Sequence, residues 1–207
     1  MTVFKTDHEA FWAGEFGDEY IDRNSNQRLV ASNAALFSKI VGSTGSLQTV
    51  IEFGANIGMN LRALRVLLPT AEFAAIEINA RAAGRLREWG GTTVHETSIL
   101  DYVPARRYDF AFIKGVLIHI DPAYLPCVYD QLEASAERYV AMVEYYNPTP
   151  VTVPYRGHQE RLFKRDFAGE FMARHPTFKL RDYGFVYKGD PSFPQDDVTW
   201  FLMERRA

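Results

Sequence analysis

The stretch Thr49–Leu64, TVIEFGANIGMNLRAL, constrains this chain more than any other. An apolar run closes on an acid, Glu52. A small-residue turn follows, Gly54-Ala55-Asn56-Ile57-Gly58, and then a segment with helical spacing. A second apolar run, Phe73–Ile78, carries Glu77 near its end. Strand, tight turn, helix, strand, acid is the local order by which a parallel α/β sheet builds a pocket for an adenosine-containing ligand.

Each residue type has a physical reason. Gly54 and Gly58 let the backbone turn sharply and let a ligand approach it. The helix expected over Asn60–Leu68 points its positive end at the pocket, which suits a carboxylate or phosphate. Glu77 lies 19 residues past Gly58, where a carboxylate can accept both hydroxyl protons of a ribose. A dinucleotide fingerprint starting at Gly54 needs glycines at 56 and 59; this chain has Asn56 and Met59. The spacing suits pyrophosphate poorly. It resembles the first motif of class I S-adenosylmethionine-dependent methyltransferases, with Asn56 in place of the middle glycine. An ordinary strand-to-helix turn would also use glycine here; the acid on the second strand favours the cofactor.

Length and charge narrow the class. A chain of 207 residues suits one domain, here 1–207, with 1–48 as an N-terminal helical cap and 147–178 as a substrate-side insertion. A net charge of −3 argues against a general nucleic-acid binder. Cys127 is the one cysteine, so no internal disulfide forms and a reducing, cytoplasmic location is expected. It reads as a packing residue. The N-terminal MTVFKTDHEAFW lacks the basic-then-apolar pattern of a signal peptide. No uncharged apolar run is long enough for a membrane span.

Periodicity predicts a helix over Asp7–Asn24 with an aromatic face (Phe11, Trp12, Phe16, Tyr20), and a second over Asn26–Val41. Strands are expected at Thr49–Phe53, Phe73–Ile78, Thr93–His95, Tyr108–Lys114 and Tyr139–Glu144, alternating with helices at Asn60–Leu68, Ala80–Trp89 and Ala123–Arg138. That alternation implies an α/β fold, a doubly wound, mostly parallel sheet. Lys179–Lys188 and Val198–Arg205 read as two strands joined by GDPSFPQDD. The link is too short for a crossover helix, so the pair must be antiparallel. The region 147–178 starts as a proline-rich loop and is expected to turn helical from about Glu160.

The chemistry is expected at the carboxyl ends of the strands. His119, in KGVLIHIDP, is the leading base candidate because imidazole titrates near physiological pH. A histidine that caps a helix or packs is the competing reading. Glu144, in EYYNP, could orient His119, bind the acceptor or act as base; a buried acid paired with a cation is equally consistent. Arg156, His158, Arg161, Lys164 and Arg165 offer an anion clamp, or a solvated face with internal ion pairs. Arg156 and His158, flanking Gly157, are the stronger of these.

The resemblance extends beyond one motif. FWAGEFGDEYIDRN, EFGANIGMNL, IEIN, KGVLIHI, EYYNPTPV, YRGHQERLFKRDFAGE, DYGFVY and QDDVTWFLMER together resemble the pseudaminic acid biosynthesis-associated methylase family. The resemblance implies a class I (Rossmann-like) fold, S-adenosylmethionine as cofactor and S-adenosylhomocysteine as product. The acceptor it implies is a small polar metabolite, an acidic or nucleotide-linked sugar among the candidates, methylated at oxygen or nitrogen. Carried onto this chain, Gly54, Asn56 and Gly58 hold the methionine end, and Glu77 with Ile78 the ribose side. Ser98 and Ile99 take the adenine, although Asp101 is the nearest acid where many relatives have one. Lys114 and Gly115 border the cofactor, and Tyr20 and Arg23 close over its methionine end. His119 and Glu144 handle the proton, and Tyr146, Arg156 and His158 anchor the acceptor. No metal is required, because the acids and histidines lack ligand spacing. No nucleic-acid or membrane partner is expected, and the chain is a monomer or a homodimer. A nicotinamide-dependent oxidoreductase, a non-catalytic module with a cofactor fold, and a peptide or tRNA methylase are the alternatives.

Overall fold

A computed structural model describes residues 4–23, 26–155 and 158–206, with side chains described for all of these except 155 and 158–161. The element order is α1 (Asp7–Ala13), α2 (Glu15–Arg23), α3 (Gln27–Gly42), β1 (Thr49–Phe53), α4 (Met59–Leu67), β2 (Glu72–Glu77), α5 (Ala80–Trp89), β3 (Thr92–Glu96) and β4 (Tyr108–Lys114). The turns Leu117–His119 and Pro122–Tyr124 lead to α6 (Leu125–Ser135) and β5 (Ala136–Glu144). The chain continues through β6 (Val151–Tyr155), β7 (His158–Lys164), α7 (Phe167–Arg174), β8 (Phe178–Val186) and β9 (Val198–Arg205).

Seven strands form one sheet in the order β3-β2-β1-β4-β5-β9-β8. The first five are parallel. β9 runs antiparallel to β5, and β8 antiparallel to β9, as the short GDPSFPQDD link requires. Val50 of β1 pairs with Phe73 on one side and Phe110 on the other. The strand order therefore reverses between β1 and β4, and a crevice opens at their carboxyl ends.

The β-rich runs are buried on both sheet faces, which is why they lack strict alternation. On one face Phe53, Ile76, Ile113 and Met142 pack with Leu125, Val128 and Leu132 of α6 and Phe171 of α7. On the other, Phe73, Phe110 and Phe112 pack with Leu36 and Phe37 of α3, Leu61 and Leu64 of α4, and Leu86 of α5. Helix starts are fixed by side-chain caps. Asn79 accepts from the Ala82 amide (2.9 Å) and Asp166 from the Gly169 amide (2.8 Å).

Two sequence expectations need correction. The single helix over Asp7–Asn24 is two helices, because Gly14 adopts an extended backbone and ends α1. The helix expected from about Glu160 is instead the hairpin strand β7, paired with β6. Helix begins only at Phe167, after the Asp166 cap. Val-Thr-Val in β6 supplies the β-forming partner, and pairing across the hairpin overrides the local spacing of Leu162 and Phe163. Those two residues are buried, and β7 packs on the Leu117–His119 turn.

Candidate active site

A cavity of about 1340 Å³, including its open mouth, lies at the reversal of strand order. Its floor is the β1–α4 turn (Gly54, Ala55, Asn56), the end of β2 (Ile76, Glu77, Ile78) and the end of β4 (Lys114, Gly115). α1 and α2 form one wall through Glu9, Trp12, Tyr20 and Ile21.

The β1–α4 turn is shaped by left-handed backbone. Gly54 has φ +76°, and a Cβ there would lie 2.7 Å from Val116 Cγ2, so only glycine fits. Asn56 has φ 48°, a conformation that asparagine tolerates better than most residues. This is how asparagine can stand where a related motif has glycine. Gly58 (φ +79°) also needs glycine, but the missing Cβ points at Leu86 of α5, and Gly58 is not among the residues lining the cavity.

Glu77 is buried at the end of β2 and lines the cavity. The Asn56 amide donates to its Oε2 at 2.6 Å and the Asn79 amide donates to its Oε1 at 2.7 Å. Burial raises its pKa above the ordinary carboxylate value, and the backbone donors of Asn79, Asn56 and Ile78 pull it back. The carboxylate is thereby fixed in place with lone pairs left over on both oxygens.

Beneath the cavity lies a second buried acid, Glu52. Asn60 Nδ2 donates to its Oε1 at 2.6 Å, and its Oε2 has no hydrogen-bond partner among the described residues. Burial pushes it up to about 8, opposed by Asn60 and by the charge of Lys114. Burial lowers Lys114 in turn, against the charges of Glu52, Asp196 and Glu144. Lys114, Asn60 and Asn33 all line the cavity; Gln195 Nε2 donates to Asn33 Oδ1 at 2.8 Å.

The loop after β4 is held from below. The amides of Val116 and Leu117 both donate to Glu144 Oε1 at 3.0 Å. Burial pushes Glu144 up to about 7, opposed by those amides and that of Ile118, then by Lys114. Glu144 is not among the residues lining the cavity; His119, on the loop it braces, is. The His119 imidazole is buried, its centroid 4.8 Å from that of Trp12.

The N-terminal wall is tied down by contacts far apart in sequence. Thr6 and Glu9 form a capping box at the start of α1. The Lys5 and Thr6 amides donate to Glu9 Oε2 at 2.6 and 2.9 Å, and the Ser98 hydroxyl donates to its Oε1. Lys5 Nζ donates to the Leu100 carbonyl at 3.2 Å and pairs with Asp101. Asn79 Nδ2 donates to Asp18 of α2 at 3.0 Å.

Of the residues singled out in the sequence, Tyr20, Gly54, Asn56, Glu77, Ile78, Ser98, Ile99, Lys114, Gly115 and His119 line this one cavity. Arg23 does not; it pairs with Glu19 at 3.2 Å and sits 5.2 Å over the Phe16 ring. Tyr146 is not among the residues lining the cavity; it is half-exposed, its ring 5.7 Å from that of Phe201. Arg156 lies outside the described residues, as does the side chain of His158. Glu9, Trp12, Asn33, Asn60 and Asn79 also line the cavity, and the sequence reading assigns none of them a site role. The Thr6-x-x-Glu9 capping spacing was the available signal for Glu9. Among the described residues no three His, Cys, Asp or Glu side chains converge as a metal site, and no helix is long and apolar enough to cross a membrane.

No family model and no curated protein matches the sequence. Solved structures do match. The Burkholderia thailandensis 1,6-didemethyltoxoflavin-N1-methyltransferase, with bound 1,6-didemethyltoxoflavin and S-adenosylhomocysteine, is 14% identical, with a TM-score of 0.71 over 100% of this chain and 93% of that one. The magnesium protoporphyrin IX methyltransferase of Synechocystis, with bound S-adenosylmethionine, is 15% identical, with a TM-score of 0.65 over 99% and 100%. A plantazolicin methyltransferase in complex with S-adenosylhomocysteine is 10% identical, with a TM-score of 0.69 over 97% and 94%. At these identities the likeness is one of architecture, and the architecture of this chain is the class I, Rossmann-like methyltransferase fold.

Proposed function

We propose that this chain is an S-adenosylmethionine-dependent methyltransferase acting on a small polar acceptor. The observation that carries the reading is Glu77: a cavity-lining carboxylate, fixed by two backbone amides at 2.6 and 2.7 Å, at the point where strand order reverses. Its spare lone pairs suit a ribose diol. The three matched methyltransferases, all with S-adenosylmethionine or S-adenosylhomocysteine bound, support the same cofactor.

The residues present fit that cofactor. The Gly54–Asn56 turn leaves room for close approach, and Ile78, Ser98 and Ile99 border a half-apolar slot beyond Glu77. Lys114 and Asn60 offer donors to an amino-acid carboxylate. When bound, S-adenosylmethionine supplies a methyl group on a sulfonium, open to in-line attack. The protein's part is to hold the acceptor behind that methyl in a dry cavity and to take a proton where the acceptor has one to lose. His119 is the proton acceptor in this reading. Glu144 keeps the Val116–His119 loop in position through two amide hydrogen bonds.

The acceptor belongs to the proposal in the same way. An acidic or nucleotide-linked sugar is the finer reading, drawn from the sequence resemblance. Arg156 and His158 would anchor it. They are assigned this role from the sequence resemblance; of the described part of the same hairpin, β7 packs on the Leu117–His119 turn and the Phe163 ring lies 6.0 Å from that of His8. A soluble cytoplasmic enzyme suits the composition.

Calorimetry with S-adenosylmethionine and S-adenosylhomocysteine tests the cofactor, followed by transfer of a labelled methyl to a panel of acidic and nucleotide-linked sugars read by mass spectrometry. Saturable one-site binding is expected. Absence of binding to either form would remove the assignment. Binding without transfer to any acceptor would favour a cofactor-fold binding module.

A further inference from the structure

A cofactor whose ribose is held by Glu77 brings its base over the neighbouring strand. Glu77 of β2 pairs in register with Glu96 of β3. Ser98 and Ile99 follow two and three residues later and line the cavity. Adjacent strands lie about 4.8 Å apart, so a purine on that ribose reaches this segment. Adenine presents an exocyclic amino group there, and burying such a donor is costly without an acceptor.

Among the described residues, three carboxylates line the cavity: Glu9, Glu77 and Asp121. Glu77 faces the ribose. Asp121 lies on the turn after β4, three strands from β3, and accepts from the Ala123 amide at 2.9 Å. Glu9 is the carboxylate at the Ser98–Ile99 end. It comes from α1, 89 residues from Ser98 in sequence, and is only 7% exposed. The Lys5 and Thr6 amides donate to its Oε2, and the Ser98 hydroxyl donates to its Oε1. A carboxylate has about four lone-pair sites, so one is left, on Oε1 beside Ser98. The Ser98 hydroxyl is fixed in turn, accepting from the Leu100 amide at 3.0 Å. Closing the capping box needs one oxygen, and glutamine serves as well as glutamate; the second oxygen is turned to the slot. Asp101, the nearest acid in sequence, is not among the residues lining the cavity and pairs with Lys5.

We propose that Glu9 selects the base of the cofactor, its Oε1 accepting the exocyclic amino group of adenine in the slot beside Ser98. This rests on S-adenosylmethionine being the cofactor. The acceptor is supplied by the N-terminal wall and not by the strand segment beneath the base. Hypoxanthine carries a carbonyl where adenine carries the amino group. It would set oxygen against a buried carboxylate with no proton between them, so the site rejects the deaminated nucleoside.

Calorimetry on the full chain with S-adenosylhomocysteine and with S-inosylhomocysteine, its deaminated counterpart, tests this. The parent should favour the adenosyl compound on the order of 100-fold, the size of a charge-assisted hydrogen bond exchanged for a repulsion. Glu9→Gln keeps the capping box and removes the charge, and the preference should fall about tenfold or more. Thr6→Ala weakens the cap of α1 without touching Oε1; both affinities should fall together, with the ratio kept within about threefold. Asp101→Asn should also keep the ratio within about threefold, because its carboxylate is engaged by Lys5. A Glu9 that only caps α1 would move both ligands equally. An unmoved preference in Glu9→Gln, with circular dichroism unchanged, would therefore overturn the proposal, and so would a preference lost in Asp101→Asn. A parent that binds both compounds equally would overturn it while leaving the cofactor assignment standing. A parent that binds neither would overturn the cofactor assignment and this inference with it.

Discussion

The amide nitrogen of Asn56 lies 2.6 Å from the Oε2 of Glu77, and this contact joins the two halves of the candidate site. One partner sits on the turn after β1, the other at the end of β2. The turn's left-handed backbone aims the amide at the carboxylate, and the carboxylate holds the turn open. Replacing Glu77 with glutamine removes the charge and half of the acceptor oxygens. S-adenosylmethionine affinity should fall on the order of 10- to 100-fold, the size of one or two charge-assisted hydrogen bonds, with circular dichroism unchanged. Calorimetry reads the result.

Asn56 is predicted to matter for its backbone more than its side chain. Asn56→Gly should keep cofactor affinity within about threefold, because glycine adopts a positive φ freely. Asn56→Val should weaken it more than about tenfold and lower the melting temperature, because a β-branched residue resists φ 48°. Equal effects of the two substitutions would show that the side chain, not the conformation, is what counts.

His119 and Glu144 should separate kinetically. His119→Ala should lower turnover on the order of 10²- to 10⁴-fold with cofactor affinity nearly intact. Glu144→Gln keeps an acceptor for the Val116 and Leu117 amides, so its loss should be much smaller. Glu144→Ala frees the loop and should lower turnover toward the His119→Ala level. Both effects are read from single-turnover rates once an acceptor is in hand.

The buried acids predict a pH dependence of stability. Glu52 and Glu144 are raised from 4.5 to about 8 and about 7, burial being the main cause. A carboxyl whose folded value exceeds its unfolded value stabilises fully below the unfolded value and loses that contribution as pH rises through the folded one. Melting temperature should therefore fall between about pH 5 and about pH 8. Glu52→Gln should flatten that fall, and the difference between parent and variant reports Glu52 together with its coupling to Lys114. An unchanged slope in the variant would contradict the burial reading of Glu52.

What was legible in the sequence was local. The run Thr49–Leu64 followed by Glu77 shows its strand, turn and acid because the turn glycines and the apolar run are set by neighbours in sequence. The antiparallel tail followed from a link too short to cross over. The hairpin β6–β7 was missed because the spacing of Leu162, Phe163 and Phe167 imitates a helix, while the pairing partner Val151–Tyr155 lies a loop away. Glu9 was missed for a similar reason: its contact with Ser98 spans 89 residues, and nothing at either end announces the other. The contact between the rings of Tyr146 and Phe201, 5.7 Å apart, joins residues 55 positions apart and has no local signal either.

A crystal structure with S-adenosylhomocysteine tests the central claim most directly. The account predicts the nucleoside in the cavity between β1 and β4, with both ribose hydroxyls within about 3 Å of the Glu77 carboxylate oxygens. A nucleoside bound elsewhere, or a ribose without contact to Glu77, would contradict it.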